Sequence, residues 1–312
     1  MAVYIVGLDI GGTKTAVVLG TPEGEILRRE SFPTGCGFEG TFERLCAATE
    51  RALREAGPDV AAISVSIGGP LDVLRGVIYS PPNLPGWDDI PLKDLLSERF
   101  GLPVYIEHDG NAGTLAEFFF GAGRGFRNIV FITMGTGFGA GLILDGKLYR
   151  GTNYLAGEVG HWRISTRGPE AYGKRGSWEA FCSGPGLERL ARYRFPERWG
   201  EGVSAREITE LAHAGDPDAL DVVRTCGRYL GRGLALIVDL LNPEKILIGS
   251  MAVRLGELLL EPARRVVRRE ALAQAAEACE ITTPALGERI GDVASLCAAL
   301  DQGKLIHCRL QI

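Results

Sequence analysis

Asp9-Ile10-Gly11-Gly12-Thr13-Lys14 brings a carboxylate, two adjacent glycines, a hydroxyl and an ammonium into one short segment. Adjacent glycines let backbone N–H groups close on a phosphate, Thr13 adds a hydroxyl donor and Lys14 adds charge. Asp9 is suited to hold a metal-bound water beside the same phosphates. An ordinary hairpin turn uses the same glycine pair, so this segment alone leaves both readings open. Met134-Gly135-Thr136-Gly137-Phe138-Gly139 repeats the pattern about 125 residues further on. Two such turns in equivalent places of a repeat point to a nucleotide whose phosphates are gripped from both sides.

Turns of this kind need strands to hold them. Val3–Ile10, Lys14–Gly20 and Glu25–Ser31 read as three strands joined by turns at Gly11-Gly12 and Thr21–Gly24. Asn128–Met134, Gly139–Leu144 and Lys147–Arg150 read the same way, with turns at Gly135–Gly137 and Asp145-Gly146. A duplicated unit predicts two similar α/β halves facing a cleft. Between them, Phe42, Leu45, Cys46, Thr49 and Leu53 recur at helical spacing, Val60–Ile67 is an apolar strand, and Val104–Glu107 is a short strand. Pro91–Phe100 and Asn111–Phe120 read as helices. Leu220–Leu241 is a long predicted helix in which Gly227, Gly231 and Gly233 imply close backbone or ligand approach. Lys245–Gly249 reads as a buried strand, Arg254–Cys279 as mainly helical, and the tail Lys304–Ile312 as strand-like.

Composition limits the function classes. With 39 acidic against 34 basic residues the net charge is −5, which gives no reason to expect nucleic acid or an anionic membrane as partner. No apolar run approaches the ~20 residues of a membrane span, and the first residues lack the basic start of a secretory signal. Seven scattered cysteines, none in a CxxC pair, read as reduced and mostly buried thiols, so a cytoplasmic location is expected.

Seven segments in order resemble the ROK family (repressors, open reading frames and kinases) of the actin/hexokinase/heat-shock-protein superfamily. They are Leu8–Lys14 (LDIGGTK), Asn83–Trp87 (NLPGW), Asp109–Glu117 (DGNAGTLAE), Gly135–Gly141 (GTGFGAG), Ala156–His161 (AGEVGH), Glu179–Leu187 (EAFCSGPGL) and Ile246–Ala252 (ILIGSMA). The resemblance implies a two-domain α/β fold of the actin-like ATPase kind, a duplicated ribonuclease H-like unit around a central cleft. Residues 1–115 with a C-terminal helix at about 291–312 would form a small domain, and 116–290 a large one with nucleotide and sugar contacts.

The resemblance also implies roles for residues. Asp9, Gly11, Gly12, Thr13, Lys14, Gly135, Thr136 and Gly137 would handle the phosphates of ATP and its magnesium, with Asp9 on the metal side. Gly249 and Ser250 would line the adenosine pocket. Asp109 matches the family's catalytic aspartate: a carboxylate orients a sugar hydroxyl and accepts its proton as phosphoryl transfer proceeds. The same residue would also suit capping of a helix beginning near Asn111. Gly69, Asn83, His108, Asp109, Glu158, His161 and Glu179 would bind the sugar, since amide and carboxylate groups suit vicinal hydroxyls. Turn chemistry is the alternative for Asn83, a solvated face for Glu158 and Glu179, and a structural histidine for His161.

Two departures lie on the sugar side. Many ROK proteins follow the GH segment with cysteines that bind zinc together with the histidine. Here those positions hold Glu170, Tyr172 and Ser177, so no zinc site is expected. His161 would then take another partner, Tyr172 or Glu170. His108 stands where the family usually has an asparagine, and a neutral imidazole keeps one donor and one acceptor.

The expected activity is an ATP-dependent hexose kinase acting on the 6-hydroxyl, with ATP and Mg2+ and with glucose as first substrate. An N-acetylmannosamine or N-acetylglucosamine kinase and a fructokinase are the alternatives, and a non-catalytic sugar-binding ROK module is one of another class. The repressor branch carries a DNA-binding domain ahead of LDIGGTK; with eight residues before Asp9, that branch is not the one expected. The resemblance further implies a homodimer, with a small-molecule sugar and ATP as partners.

Overall fold

The computed structural model describes residues 3–35 and 37–305. The readings that fall on Cys36, Cys308 and most of the Lys304–Ile312 tail lie outside those residues. In chain order come β1 (Tyr4–Ile10), β2 (Lys14–Gly20), β3 (Ile26–Pro33), α1 (Phe38–Ala56), β4 (Val60–Ile67), the short hairpin β5 (Leu71–Asp72) and β6 (Val77–Ile78), α2 (Leu92–Phe100), β7 (Val104–His108) and α3 (Asp109–Phe120). Next are β8 (Ile129–Met134), β9 (Phe138–Leu144), β10 (Lys147–Leu148), the hairpin β11 (Glu170–Ala171) and β12 (Lys174–Arg175), α4 (Trp178–Cys182), α5 (Gly184–Arg194), α6 (Ala205–His213) and α7 (Pro217–Leu241). The chain then forms β13 (Lys245–Ile248), α8 (Met251–Leu255), α9 (Glu257–Glu270), α10 (Ala273–Ala278), β14 (Glu280–Thr282) and α11 (Ile290–Gln302).

Two compact units result. One takes the chain up to Gly125 and resumes at Leu286; the other is Phe126–Ala285. The boundary expected at residue 115 would cut α3, whose buried face packs within the first unit, and that unit regains the chain just ahead of α11.

The first unit is built on a sheet of order β3-β2-β1-β4-β7. β1 runs antiparallel to β2 and parallel to β4, and β4 parallel to β7. Burial follows position: central β4 is buried almost throughout, whereas edge strand β3 alternates residue by residue. Ile63, Val65 and Ile67 are fully buried, and each such side chain contributes about 1.5–3 kcal/mol relative to exposure. Small residues let α11 settle on this sheet, where the Ala299 N–H donates to Ser64 Oγ at 3.1 Å.

The second unit repeats the plan with the order β10-β9-β8-β13-β14. Its first strand is again central, antiparallel to the second and parallel to the fourth. Its core gathers Trp178, Phe181, Leu230, Leu234 and Val238 around α7.

Helix α7 starts earlier than the periodicity from Leu220 predicts. Asp216 Oδ1 accepts the N–H groups of Asp218 and Ala219, and Pro217 occupies the first turn, where its missing N–H costs nothing. Two of its three glycines serve backbone approach, and the third, Gly233, makes room for the Trp178 ring. A Cβ at Gly227 or Gly231 would meet the carbonyls of Leu259 and Ala263 on α9 at 2.7 and 2.4 Å. The predicted helical stretch Arg254–Cys279 is interrupted at Gly256, with φ of 53°, and again after Glu270. The five described cysteines, Cys46, Cys182, Cys226, Cys279 and Cys297, are free and buried. Among the described residues no helix is long and apolar enough to cross a membrane.

Candidate active site

Parallel strands place their carboxyl ends, and the loops that follow, along one edge of a sheet. In the first unit that edge carries Asp9 from β1, Gly68-Gly69 after β4, and His108-Asp109 at the β7–α3 junction.

The Gly11–Thr13 turn joins β1 to β2, with Ile10 paired to Thr15. Gly11 N–H donates to Lys14 O at 3.1 Å, and Thr34 Oγ donates to Gly11 O at 2.6 Å, so β3 backs the turn. Gly12, Thr13 and Lys14 are exposed. A Cβ on Gly12 would lie 2.5 Å from Asn83 O, so only glycine lets the two loops touch. Asn83 is itself exposed, on a loop anchored by buried Leu84 and Trp87, and Phe38 meets the Trp87 ring edge-on.

Asp109 is the first residue of α3, and the N-cap position is His108, whose Nδ1 lies 3.3 Å from the Gly110 nitrogen. The expectation that Asp109 caps a helix starting near Asn111 is thereby corrected. Asp109 is already inside the helix, its Oδ1 accepting from Gly110 N–H at 2.7 Å. His108 Nδ1 lies 3.0 Å from the same oxygen, and the Asp109 side chain is 59% accessible, so a substrate can reach it. Partial withdrawal from water pushes this carboxyl's pKa up. The hydrogen bond and charge of His108 with the Gly110 N–H outweigh that and hold it below the usual range. Gly69 makes room for the imidazole, since a Cβ there would meet the ring at 2.9 Å.

Asp9 behaves oppositely. Burial, then the charges of Asp109 and Asp292, push its pKa up to about 6 against the smaller pull of Arg29 and Lys14. Like charges this close, added to burial, favour the protonated carboxyl.

Glu107 was not singled out by its sequence context. It is fully buried, and its Oε1 accepts from His108 N–H at 3.1 Å and Asn111 Nδ2 at 3.0 Å. This clamp sets the strand-to-helix bend that presents His108 and Asp109. No helical spacing announces the pair, because Glu107 lies on β7 and Asn111 on α3.

In the second unit Gly135, Thr136 and Gly137 form the β8–β9 turn, with Gly135 N–H donating to Gly137 O at 3.1 Å. The start of α5 closes on it, Gly184 N–H donating to Gly135 O at 2.7 Å. Gly249 and Ser250 follow β13, and Ser250 Oγ would sit 3.5 Å from a Cβ on Gly135. These segments open a cavity of about 760 Å3 lined by Gly135, Thr136, Pro185, Glu188, Ser250 and Arg254, within the size range of nucleotide-sized ligand sites.

Glu179, in the first turn of α4, is 8% exposed and sits under the same turn: its Oε2 accepts from Phe138 N–H at 3.0 Å. Glu158 and His161 are exposed on the loop that Gly157 ties to β9, where Ala140 N–H donates to Gly157 O at 2.8 Å. The two families of expected contacts in this unit are therefore joined through Glu179.

The positions that could have held thiolates form a small structure of their own. Glu170 and Tyr172 belong to the β11–β12 hairpin, and buried Ser177 Oγ donates to Ala171 O at 3.4 Å. Tyr172 does not hydrogen-bond a nitrogen of His161 as expected. Its ring stacks on the imidazole, with centroids 3.8 Å apart, which turns the hydroxyl toward Glu179 Oε2, to which it donates. Among the described residues no group of three or more His, Cys, Asp or Glu gathers in a metal-ligating arrangement.

Comparison with known proteins identifies relatives of this chain. A glucokinase from Streptomyces coelicolor is 35% identical over 278 residues, 85% of this chain and 87% of its own. The crystal structure of a ROK hexokinase from Thermus thermophilus superposes with a TM-score of 0.86 at 38% identity, covering 96% of this chain and 99% of that one. A ROK family glucokinase from Streptomyces griseus, solved with glucose and AMPPNP, gives 0.76 at 35% identity over the same shares. The fold is thus the two-unit α/β fold of the actin-like ATPases. The ROK family model matches residues 5–299, and the chain belongs to the ROK family.

Proposed function

We propose that this protein is an ATP-dependent hexose kinase that transfers the γ-phosphoryl group to a sugar 6-hydroxyl, with glucose as its first substrate. The observation that carries the reading is Asp109: a reachable carboxylate kept ionised by His108 and the Gly110 N–H at the carboxyl edge of a parallel sheet. The similarity to glucokinases and a ROK hexokinase supports the same reaction.

In this reading Asp109 accepts the proton of the 6-hydroxyl as the O6–phosphorus bond forms. The bond from phosphorus to the β,γ-bridging oxygen breaks, and its electron pair leaves on ADP. The carboxylate's lowered pKa keeps it in the accepting form at neutral pH. Backbone N–H groups around Gly11, Gly12, Gly135, Thr136 and Gly137 bind phosphate oxygens, with Thr13 and Lys14 adding a hydroxyl and a charge. Gly249 and Ser250 contact the adenosine. Gly69 positions His108, while Asn83, His108, Glu158, His161 and Glu179 bind sugar hydroxyls. Magnesium carried by the nucleotide would supply positive charge on the β- and γ-phosphates, and Asp9 with its raised pKa is the residue suited to hold it through water. No structural zinc is required in this reading, because Tyr172 holds His161. A cytoplasmic homodimer completes the proposal.

The test is an ADP-release assay with Mg-ATP across glucose, fructose, mannose, allose, N-acetylglucosamine and N-acetylmannosamine, with the product's mass confirming phosphate transfer. Turnover preferring glucose is the expected result. Preference for an N-acetylhexosamine or fructose would replace the substrate. Sugar binding without turnover on any member would replace the enzyme by a binding module.

A further inference from the structure

The β11–β12 hairpin closes through Tyr172 and Gly173 alone, with φ of 58° and 61°. Two left-handed central residues mark a type I′ turn, for which Asn-Gly is the favoured pair. A tyrosine there carries its β-carbon into backbone space that such residues avoid. The turn itself would be better served by asparagine, so the tyrosine is retained for its side chain.

That side chain has two engagements. Its ring lies flat on His161, 17° from parallel at 3.8 Å. Its hydroxyl donates to Glu179 Oε2, the oxygen that already accepts the Phe138 N–H. Among the described residues no protein donor reaches Oε1. Burial, the hydrogen bond to Glu179 and the charges of Glu179 and Glu158 push the phenol's pKa up, with Arg189 opposing, so the hydroxyl remains a donor. At 49% exposure the residue is not held in this strained turn by core packing.

We propose that Tyr172 is a positioning residue for sugar recognition: it occupies Glu179 Oε2, leaving Oε1 as the sugar-facing acceptor, and it fixes the plane of the His161 imidazole. The assignment rests on the proposed reading of Glu179 and His161 as hexose ligands. A carboxylate with one oxygen pinned by two donors offers a single oriented acceptor. A freely rotating one would offer either oxygen to many hydroxyl arrangements.

Two variants separate chemistry from folding. Tyr172→Phe keeps the ring stack and loses the donor. The loss of one hydrogen bond to a charged group is expected to raise the hexose KM about tenfold, with the KM for ATP unchanged. Tyr172→Asn suits the turn and loses both engagements, so Tm should hold or rise while the hexose KM climbs further. An unchanged hexose KM in both variants overturns the assignment. So does a parallel rise in both KM values with a fall in Tm, which would mark a purely structural residue. Absence of wild-type turnover on every hexose overturns the proposed reaction and this assignment together; normal wild-type turnover with unaffected variants overturns the assignment alone.

Discussion

His108 Nδ1 and Asp109 Oδ1 lie 3.0 Å apart, and the Gly110 N–H points at both, 2.7 Å from the carboxylate and 3.3 Å from the imidazole. The shorter contact makes the amide chiefly a donor to Asp109. A protonated Nδ1 then serves as the second donor to the same oxygen. Two donors on Oδ1 leave Oδ2 as the acceptor to which the proposed mechanism assigns the substrate's proton.

Asp109→Asn removes that acceptor and keeps the side chain's shape. Turnover is expected to fall about a thousandfold. Nucleotide affinity, measured by calorimetry, should stay within about threefold, because the phosphate turns are untouched. Unchanged turnover would remove Asp109 from the mechanism.

Asp9 links function to pH-dependent stability. Its carboxyl holds a proton up to about pH 6 in the folded protein, against an ordinary value of 3.8. The stabilisation from that proton is complete below the unfolded value and is lost as pH rises through about 6, so ionised Asp9 destabilises the fold at neutral pH. Asp9→Asn should therefore raise Tm at pH 7 by about 4 °C over wild type, with the difference closing below about pH 4. It should also abolish most turnover. Thermal unfolding at both pH values checks this, and an equal gain at each would point to another cause.

At Gly12 the neighbour is backbone that has nowhere to go, Asn83 O at 2.5 Å from the added Cβ. Gly12→Ala is expected to cost about 1–3 kcal/mol in chemical denaturation and to raise the ATP KM about tenfold. Wild-type stability in this variant would mean that the two loops separate freely.

Gly69→Ala meets the tip of an imidazole instead, at 2.9 and 3.1 Å. A ring can swing aside, so stability should change by less than about 1 kcal/mol while turnover falls about tenfold as His108 leaves Asp109. Adding His108→Asn to this variant should remove the clash. Rates for the two single variants and the double variant then form a cycle, and strict additivity would deny the coupling.

Much of the frame was legible along the chain. Glycine turns between alternating apolar runs marked both β1–β2 and β8–β9, and their recurrence announced the duplicated sheet that the shared strand order bears out. Local chemistry was readable because neighbours in sequence make it: a hairpin needs its glycines, and an aspartate after a buried strand stands at the sheet's edge. Ends of elements are less legible: apolar spacing marks the start of α7 at Leu220, whereas Asp216 and Pro217 set it by satisfying the first turn.

What only tertiary structure decided concerns partners far apart in sequence. Whether Gly12 is required depends on Asn83, and the ionisation of Asp9 depends on Asp109 and Asp292. The sequence at Tyr172 showed that thiolates were missing. It did not show that a left-handed turn aims the phenol at Glu179 while its ring covers His161. Motifs report the groups a site contains, since residue type carries chemistry wherever it sits. Hydrogen-bond direction, burial and electrostatic neighbours exist only once the chain has packed, and those determine which oxygen of Glu179 is pinned and which state Asp9 holds.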